Sequence, residues 1–136
     1  MRSKFEKRVG ASLTARGVDF KYETDTYNYF LTVRGECGDC GSNNVENQHW
    51  YTPDFFLPNG IIVETKGKLT VRDRKLAIAV RELHPDLDLR FCFMRDNKIS
   101  RTSKTRYSDW ASKNGFKYSI GDIPDQWIEE THEIQD

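Results

Sequence analysis

The sequence predicts a single α/β domain with a central mixed sheet and helices on both sides. Two apolar runs flank the turn signal Pro58-Asn59-Gly60, an amphipathic helix follows at about residues 72–83, and another apolar run occupies residues 87–94. Two runs joined by a tight turn form an antiparallel hairpin, whereas strands joined through a helix lie parallel. One antiparallel pair and one parallel pair in the same sheet make that sheet mixed.

Length and charge agree with one domain at residues 1–130 followed by an acidic tail at residues 131–136. A chain of 136 residues suffices for one core. It has no secretory signal and no apolar run long enough to span a bilayer, so we expect a cytoplasmic protein without a membrane partner. All 21 Lys and Arg lie within residues 1–117 beside 15 of the 21 acids, a local surplus of six positive charges.

The chain begins with a predicted helix. Ser3 to Glu6 fits a capping box, Phe5, Val9 and Leu13 recur on one helical face, and Gly17 is a plausible stop. The other predicted elements follow from local composition. They are strands at residues 18–22, 27–34 and 116–120, short helices at residues 107–114 and 124–128, and loops at residues 35–47 and 96–106.

The hairpin carries a site only if its charged side chains face the same side of the sheet, and the length of the loop decides this. A three-residue loop at residues 58–60 sets Asp54 directly across from Glu64 and puts Lys66 on the same face. A two-residue loop would send Asp54 to the opposite side. We favour the three-residue loop because Gly60 suits the left-handed position of a bulged turn and because this pairing gathers the three charged side chains.

Two carboxylates opposite each other in a sheet are destabilising unless a positive charge lies between them. The strands around them are apolar on both faces, and buried charges are costly unless they are paired or bind metal. A divalent cation with oxygen ligands would satisfy Asp54 and Glu64. The competing interpretation is a surface hairpin with an ordinary Glu64–Lys66 pair.

These residues also carry a resemblance to a known family. Pro53-Asp54, nine residues, then Glu64-Thr65-Lys66 resembles the PD-(D/E)xK nuclease signature. The block Y-T-P-D-F-F-L-P-N-G-I-I-V-E-T-K-G is similar to the centre of the phage endonuclease I family, which resolves four-way (Holliday) DNA junctions. The similarity continues through F-E-K-R-V, R-K-L-A-I-A-V-R-E-L-H-P-D-L-D-L-R-F and I-P-D-Q-W-I.

The resemblance implies a PD-(D/E)xK fold, an intertwined homodimer, and Mg²⁺ or Mn²⁺ held by Asp54, Glu64 and the backbone carbonyl of Thr65. Lys66 would position a water or stabilise developing negative charge. Glu6 would help to hold a second ion and would come from the partner chain. Glu6 also has a purely structural interpretation, because it occupies the capping-box position of the first helix.

Two basic clusters flank the candidate site and favour contact with DNA phosphates. Charge runs are also typical of plain solvated faces. The candidate DNA-binding residues are Lys68, Arg72, Arg74, Lys75, Lys98, Arg101 and Lys104.

The segment at residues 35–47 contains Cys37 and Cys40 where the resembled family has only a short connection. A C-x-x-C pair followed by glycine resembles half of a zinc site, which needs four ligands. His49 and Cys92 could complete it within one chain, or the same pair from a second copy could do so. An ordinary reduced loop is the alternative.

The sequence thus predicts a metal-dependent endonuclease for branched DNA. Three alternatives stay open at this point. They are a nicking, flap-directed or mismatch-directed nuclease of the same fold, a non-catalytic junction-binding module, and an interaction protein organised by the cysteine loop.

Overall fold

The computed structural model describes residues 3–34 and 44–131, with only the backbone for residues 32–34 and 44–46. In chain order its elements are α1 (Lys4–Ala15), β1 (Lys21–Tyr22), β2 (Tyr27–Arg34), β3 (Asn44–Tyr51), β4 (Phe55–Phe56), β5 (Ile62–Lys66), α2 (Val71–Leu83), β6 (Leu89–Phe93), α3 (Tyr107–Lys113), β7 (Tyr118–Ile120) and α4 (Asp125–Glu129).

A five-stranded mixed sheet forms the centre, with strand order β1-β4-β5-β6-β7. The pairs β1–β4 and β4–β5 are antiparallel, whereas β5–β6 and β6–β7 are parallel. Helix α2 connects β5 to β6 and α3 lies between β6 and β7, as parallel neighbours require. The predicted α/β class and mixed sheet are confirmed. A separate two-stranded ribbon pairs β2 with β3.

Helices cover both faces of the central sheet. One core cluster joins the sheet to α2 and α3, for example through Val80 and Trp110. The other joins it to α1 and α4, for example through Leu13 and Trp127. Strands β5 and β6 are buried along nearly their whole length, so a charged side chain on either strand lies in a poorly solvated environment.

The hairpin turn has the three-residue form that the sequence favoured. The Leu57 N–H donates to the Ile61 carbonyl at 2.9 Å, and Gly60 adopts a φ of 90°. Phe55 pairs with Val63 in β4–β5. One step further along this register, Asp54 lies opposite Glu64.

Gly60→Ala is expected to lower the free energy of unfolding by about 1–2 kcal/mol, because a Cβ is strained at a left-handed φ. Urea denaturation measures this change. Gly67→Ala is the matched control, since Gly67 has no left-handed φ and its added Cβ would meet only Met94 at 3.8 Å. Equal effects of the two substitutions would contradict the role of the turn.

The predicted Ser3 N-cap of helix α1 is confirmed. The Ser3 side chain accepts the Glu6 backbone N–H at 3.1 Å, the buried face holds Phe5, Val9 and Leu13, and Gly17 follows with φ 72°. Helix α2 has a full capping box between Thr70 and Asp73. The helices described here include none that is long and apolar enough to cross a membrane.

Three predicted boundaries need correction. The first predicted strand, residues 18–22, is reduced to Lys21–Tyr22, and the last one begins at Tyr118. The predicted loop at residues 35–47 is wrong at its end, because β3 already begins at Asn44. That segment is polar, and it forms a strand through backbone pairing with β2 rather than through an apolar face. Cys37, Cys40 and residues 132–136 lie outside the described residues.

Candidate active site

Asp54 is buried just before β4, with 6% of its surface exposed. One of its carboxylate oxygens, Oδ2, accepts both the Thr65 backbone N–H at 2.9 Å and the Thr65 hydroxyl at 2.7 Å. Thr65 on β5 therefore fixes the orientation of the Asp54 carboxylate. The sequence had suggested only the backbone carbonyl of Thr65 as a contributor, so its side-chain role is new.

Glu64 on β5 is equally buried, at 6% exposed. The Tyr51 hydroxyl, at the end of β3, donates to its Oε2. Lys66 Nζ lies 3.6 Å from its Oε1. Glu64 and Lys66 thus share one face of β5, as the period of two predicted.

The pKa values of Asp54 and Glu64 both lie above their ordinary values. Burial, reinforced by the neighbouring charge of Asp54, raises the pKa of Glu64 to about 8. Burial also raises the pKa of Asp54, against the two hydrogen bonds from Thr65 that lower it. A bound divalent cation would relieve both the desolvation and the mutual repulsion. The donor set therefore fits an oxygen-ligated metal.

Lys66 is held between two acids. Its Nζ lies 3.2 Å from Asp73 Oδ1 as well as close to Glu64. Burial alone would lower the pKa of Lys66, but the two carboxylates outweigh it and raise this pKa above its ordinary value. The ammonium group is therefore charged and oriented. Sequence reasoning missed Asp73, whose only signal is its place in the capping box with Thr70.

Glu6 reaches the same region from α1. Its backbone N–H makes the helix cap, while its side-chain Oε2 accepts the Tyr22 hydroxyl at 2.5 Å. The Ser3 hydroxyl also donates to Glu6 Oε1 at 3.4 Å, so the carboxylate lies between the helix cap and the site. The resemblance implied a Glu6 from a partner chain, but in this structure the chain's own Glu6 lies beside Asp54.

Glu23 completes a group of carboxylates that sequence reasoning did not foresee. Oxygens of Glu6, Glu23 and Asp54 lie within 4.8 Å of one another. Glu23 follows β1 with φ 49°, and its backbone N–H donates to the Asp54 carbonyl at 3.0 Å. Asp54 is thus the residue shared by this group and by the Glu64–Lys66 pair. A single acid in a polar connection carries no signal in the sequence.

Tyr51→Phe is expected to weaken Mg²⁺ binding about 10-fold, because a side chain that orients a metal ligand typically has an effect of this size. Isothermal titration with Mg²⁺ measures the affinity. Tyr29→Phe is the control, since Tyr29 lies in the β2–β3 ribbon and stacks on His49 rather than on a site carboxylate. An unchanged affinity in Tyr51→Phe would show that Glu64 needs no support from Tyr51.

The structure brings together four of the seven candidate DNA-binding residues. Lys68, Arg74, Lys98 and Arg101 line one open cavity. The other three, Arg72, Lys75 and Lys104, are exposed but do not line it.

His49 and Cys92, the two residues that could complete a zinc site within one chain, pack in different surroundings. His49 stacks on Tyr29 in the cluster beside α2, whereas Cys92 is buried in the cluster beside α1. His49 therefore lies on the β2–β3 ribbon and Cys92 on the central sheet, in different parts of the fold.

Fold and site together define an α/β protein in which buried carboxylates and one lysine converge on a hairpin of a mixed sheet. The family model described as "Phage endonuclease I" matches residues 1–135. The chain belongs to this family. It is 38% identical over 130 residues to "Endonuclease I" of Escherichia phage T7, across 95% of this chain and 78% of that protein. It is 36% identical over 130 residues to "Endodeoxyribonuclease 1" of Enterobacteria phage T3, across 95% and 77% of the two chains.

Proposed function

We propose that this protein is a metal-dependent endodeoxyribonuclease that resolves four-way and other branched DNA junctions. The observation that carries the proposal is the convergence of Asp54, Glu64 and Lys66 in a chain of this family. Its two relatives are named as an endonuclease and an endodeoxyribonuclease. A module that only bound DNA phosphates would gain nothing from buried carboxylates, which repel them.

The metal would be Mg²⁺ or Mn²⁺, since Glu6, Asp54 and Glu64 offer oxygen ligands. Asp54, Glu64 and the Thr65 carbonyl would hold one ion, and Glu6 would contribute to a second. A cation held by these residues would polarise a phosphoryl oxygen and would lower the pKa of a water. Thr65 keeps the Asp54 carboxylate in a fixed orientation for this purpose.

Lys66 would act on the reacting phosphate directly. Its ammonium is held by Asp73 at 3.2 Å, so little reorientation is needed when negative charge develops in the transition state. The same ammonium could orient the attacking water. Both roles require a charged Lys66, which agrees with the direction of its pKa shift.

We also propose the PD-(D/E)xK fold and a homodimer. A four-way junction has two equivalent strands, so two copies of the site at a fixed separation would suit it. The ribbon offers a surface for such contact, because Phe30 and Trp50 are 42% and 66% exposed. Their pairing register places them on the same face of β2–β3.

The test is cleavage of an end-labelled four-way junction beside linear, nicked and flapped duplexes of matched sequence, each with Mg²⁺ and with EDTA. We expect paired cuts near the junction that require the metal, and two chains per junction in sedimentation of the complex formed in Ca²⁺. Cutting confined to nicked or flapped duplex would move the substrate to that class. Junction binding without any cutting would overturn the enzyme.

A further inference from the structure

A second concave site lies beside the candidate active site. It is an open cavity of about 430 Å³ between the connection that leads into α2 and the loop that follows β6. Cationic, apolar and hydroxyl side chains line it.

The positive charge of this cavity favours the binding of an anion. Four of its walls are cationic, and none of the described residues that line it is acidic. Lys68, Lys98 and Arg101 are exposed at the rim, while Arg74 is half-buried. Side chains of this kind bind phosphate groups, arginine through two parallel hydrogen bonds.

A phosphate group alone does not account for the rest of the cavity. Val71, 56% exposed in the first turn of α2, and the half-buried Ile99 supply its apolar surface, whereas Leu69 and Tyr107, which also line it, are buried. The volume lies in the range of small-molecule sites, which combine apolar walls with a few polar groups. A nucleotide supplies both parts, a phosphate for the cations and a sugar or base for the apolar side chains.

The cavity and the active site share the first turn of α2. Asp73 accepts a hydrogen bond from Lys66. Asp73 and Thr70 also exchange the two capping hydrogen bonds of α2, and Thr70 lines the cavity. Lys68 lies two residues after Lys66. A DNA strand that crosses the active site would therefore place a neighbouring nucleotide at this cavity.

The nucleotide must be outside the base stack. In a paired duplex the bases face one another, and a protein surface beside the strand meets mainly its sugar–phosphate backbone. A concave site with apolar walls can enclose a base only after the base has left the stack. We propose that this cavity binds one unpaired nucleotide next to the scissile phosphodiester. The proposal rests on the proposed function and adds a preference for unpaired DNA near the cut.

The test measures binding without cleavage, in an Asp54→Asn background. Two labelled four-way junctions of the same sequence are compared, one fully paired and one with a single extra nucleotide, 2-aminopurine, at the branch point. We expect about 10-fold tighter binding of the second junction, since stacking or enclosure of one base has an effect of this order. A change in 2-aminopurine fluorescence should accompany binding.

Val71→Glu should abolish this preference by placing a negative charge in the cavity, and an acid in the first turn of a helix favours folding. Leu83→Glu is the matched control, because Leu83 is 42% exposed at the other end of α2. It should retain the preference. Arg74→Ala should also reduce the preference, by removing a phosphate ligand.

Each outcome decides one question. Equal loss of affinity for both junctions in Val71→Glu would mean that the cavity holds only backbone phosphates, which overturns the proposal. Equal affinity of the Asp54→Asn protein for both junctions would do the same. Cleavage of the fully paired junction by the unsubstituted protein with Mg²⁺ is assayed separately. Failure of that assay, with the binding preference retained, would overturn the nuclease and leave the nucleotide site.

Discussion

Asp54→Asn is expected to lower the rate of Mg²⁺-dependent junction cleavage by about 1000-fold, the upper range for loss of one preorganised electrostatic group. Asparagine has nearly the same shape, and its carbonyl oxygen can still accept the hydrogen bonds from Thr65. It lacks the negative charge that a divalent cation requires. The fold should therefore persist while the metal site is lost.

Single-turnover cleavage of the labelled junction measures the rate, and thermal unfolding in EDTA verifies the fold. Junction affinity in EDTA should be unchanged or higher, because the substitution removes a charge that repels phosphate. Asp19→Asn is the control, since Asp19 is exposed in the connection after α1. A residual rate above a tenth of the parent value would show that Asp54 does not hold the metal.

Local sequence signals predicted the parts of the site that depend on strand parity. Gly60 indicated the bulged turn, and the strict period of two then placed Asp54 opposite Glu64 and put Lys66 on the face of Glu64. The amphipathic helix between β5 and β6 likewise predicted the parallel pair. These features follow from short stretches of chain, where backbone geometry leaves few choices.

The parts that sequence reasoning missed depend on contacts between distant elements. Tyr51 approaches Glu64 from the end of β3, and Asp73 approaches Lys66 from α2. Glu23 joins Asp54 through the pairing of β1 with β4. Apart from the capping-box position of Asp73, none of these residues differs in local pattern from an ordinary surface residue. Strand β3 (Asn44–Tyr51) was missed for a similar reason, because its partner strand rather than its own composition makes it a strand.

Glu64 should make the metal-free protein less stable as the pH rises. Its folded pKa is about 8, whereas the ordinary value is 4.5. Between these values the folded protein binds a proton that the unfolded chain has released, so the free energy of unfolding falls by up to about 1.4 kcal/mol per pH unit. This contribution is fully present below pH 4.5 and is lost as the pH rises through 8. Asp54 shifts in the same direction.

Urea unfolding in EDTA at several pH values between 5 and 9 measures this slope. Glu64→Gln should reduce the dependence of the unfolding free energy on pH, because glutamine mimics the protonated acid and can still accept a hydrogen bond from Tyr51. At pH 9 the substituted protein should therefore be more stable than the parent. Glu82→Gln, an exposed acid on α2, should leave the slope unchanged. With Mg²⁺ at pH 9 the parent should instead be more stable than Glu64→Gln, because the ion binds the ionised Glu64. Equal slopes for the parent and Glu64→Gln proteins would mean that Glu64 ionises freely, and the electrostatic argument for a metal at this site would fail with it.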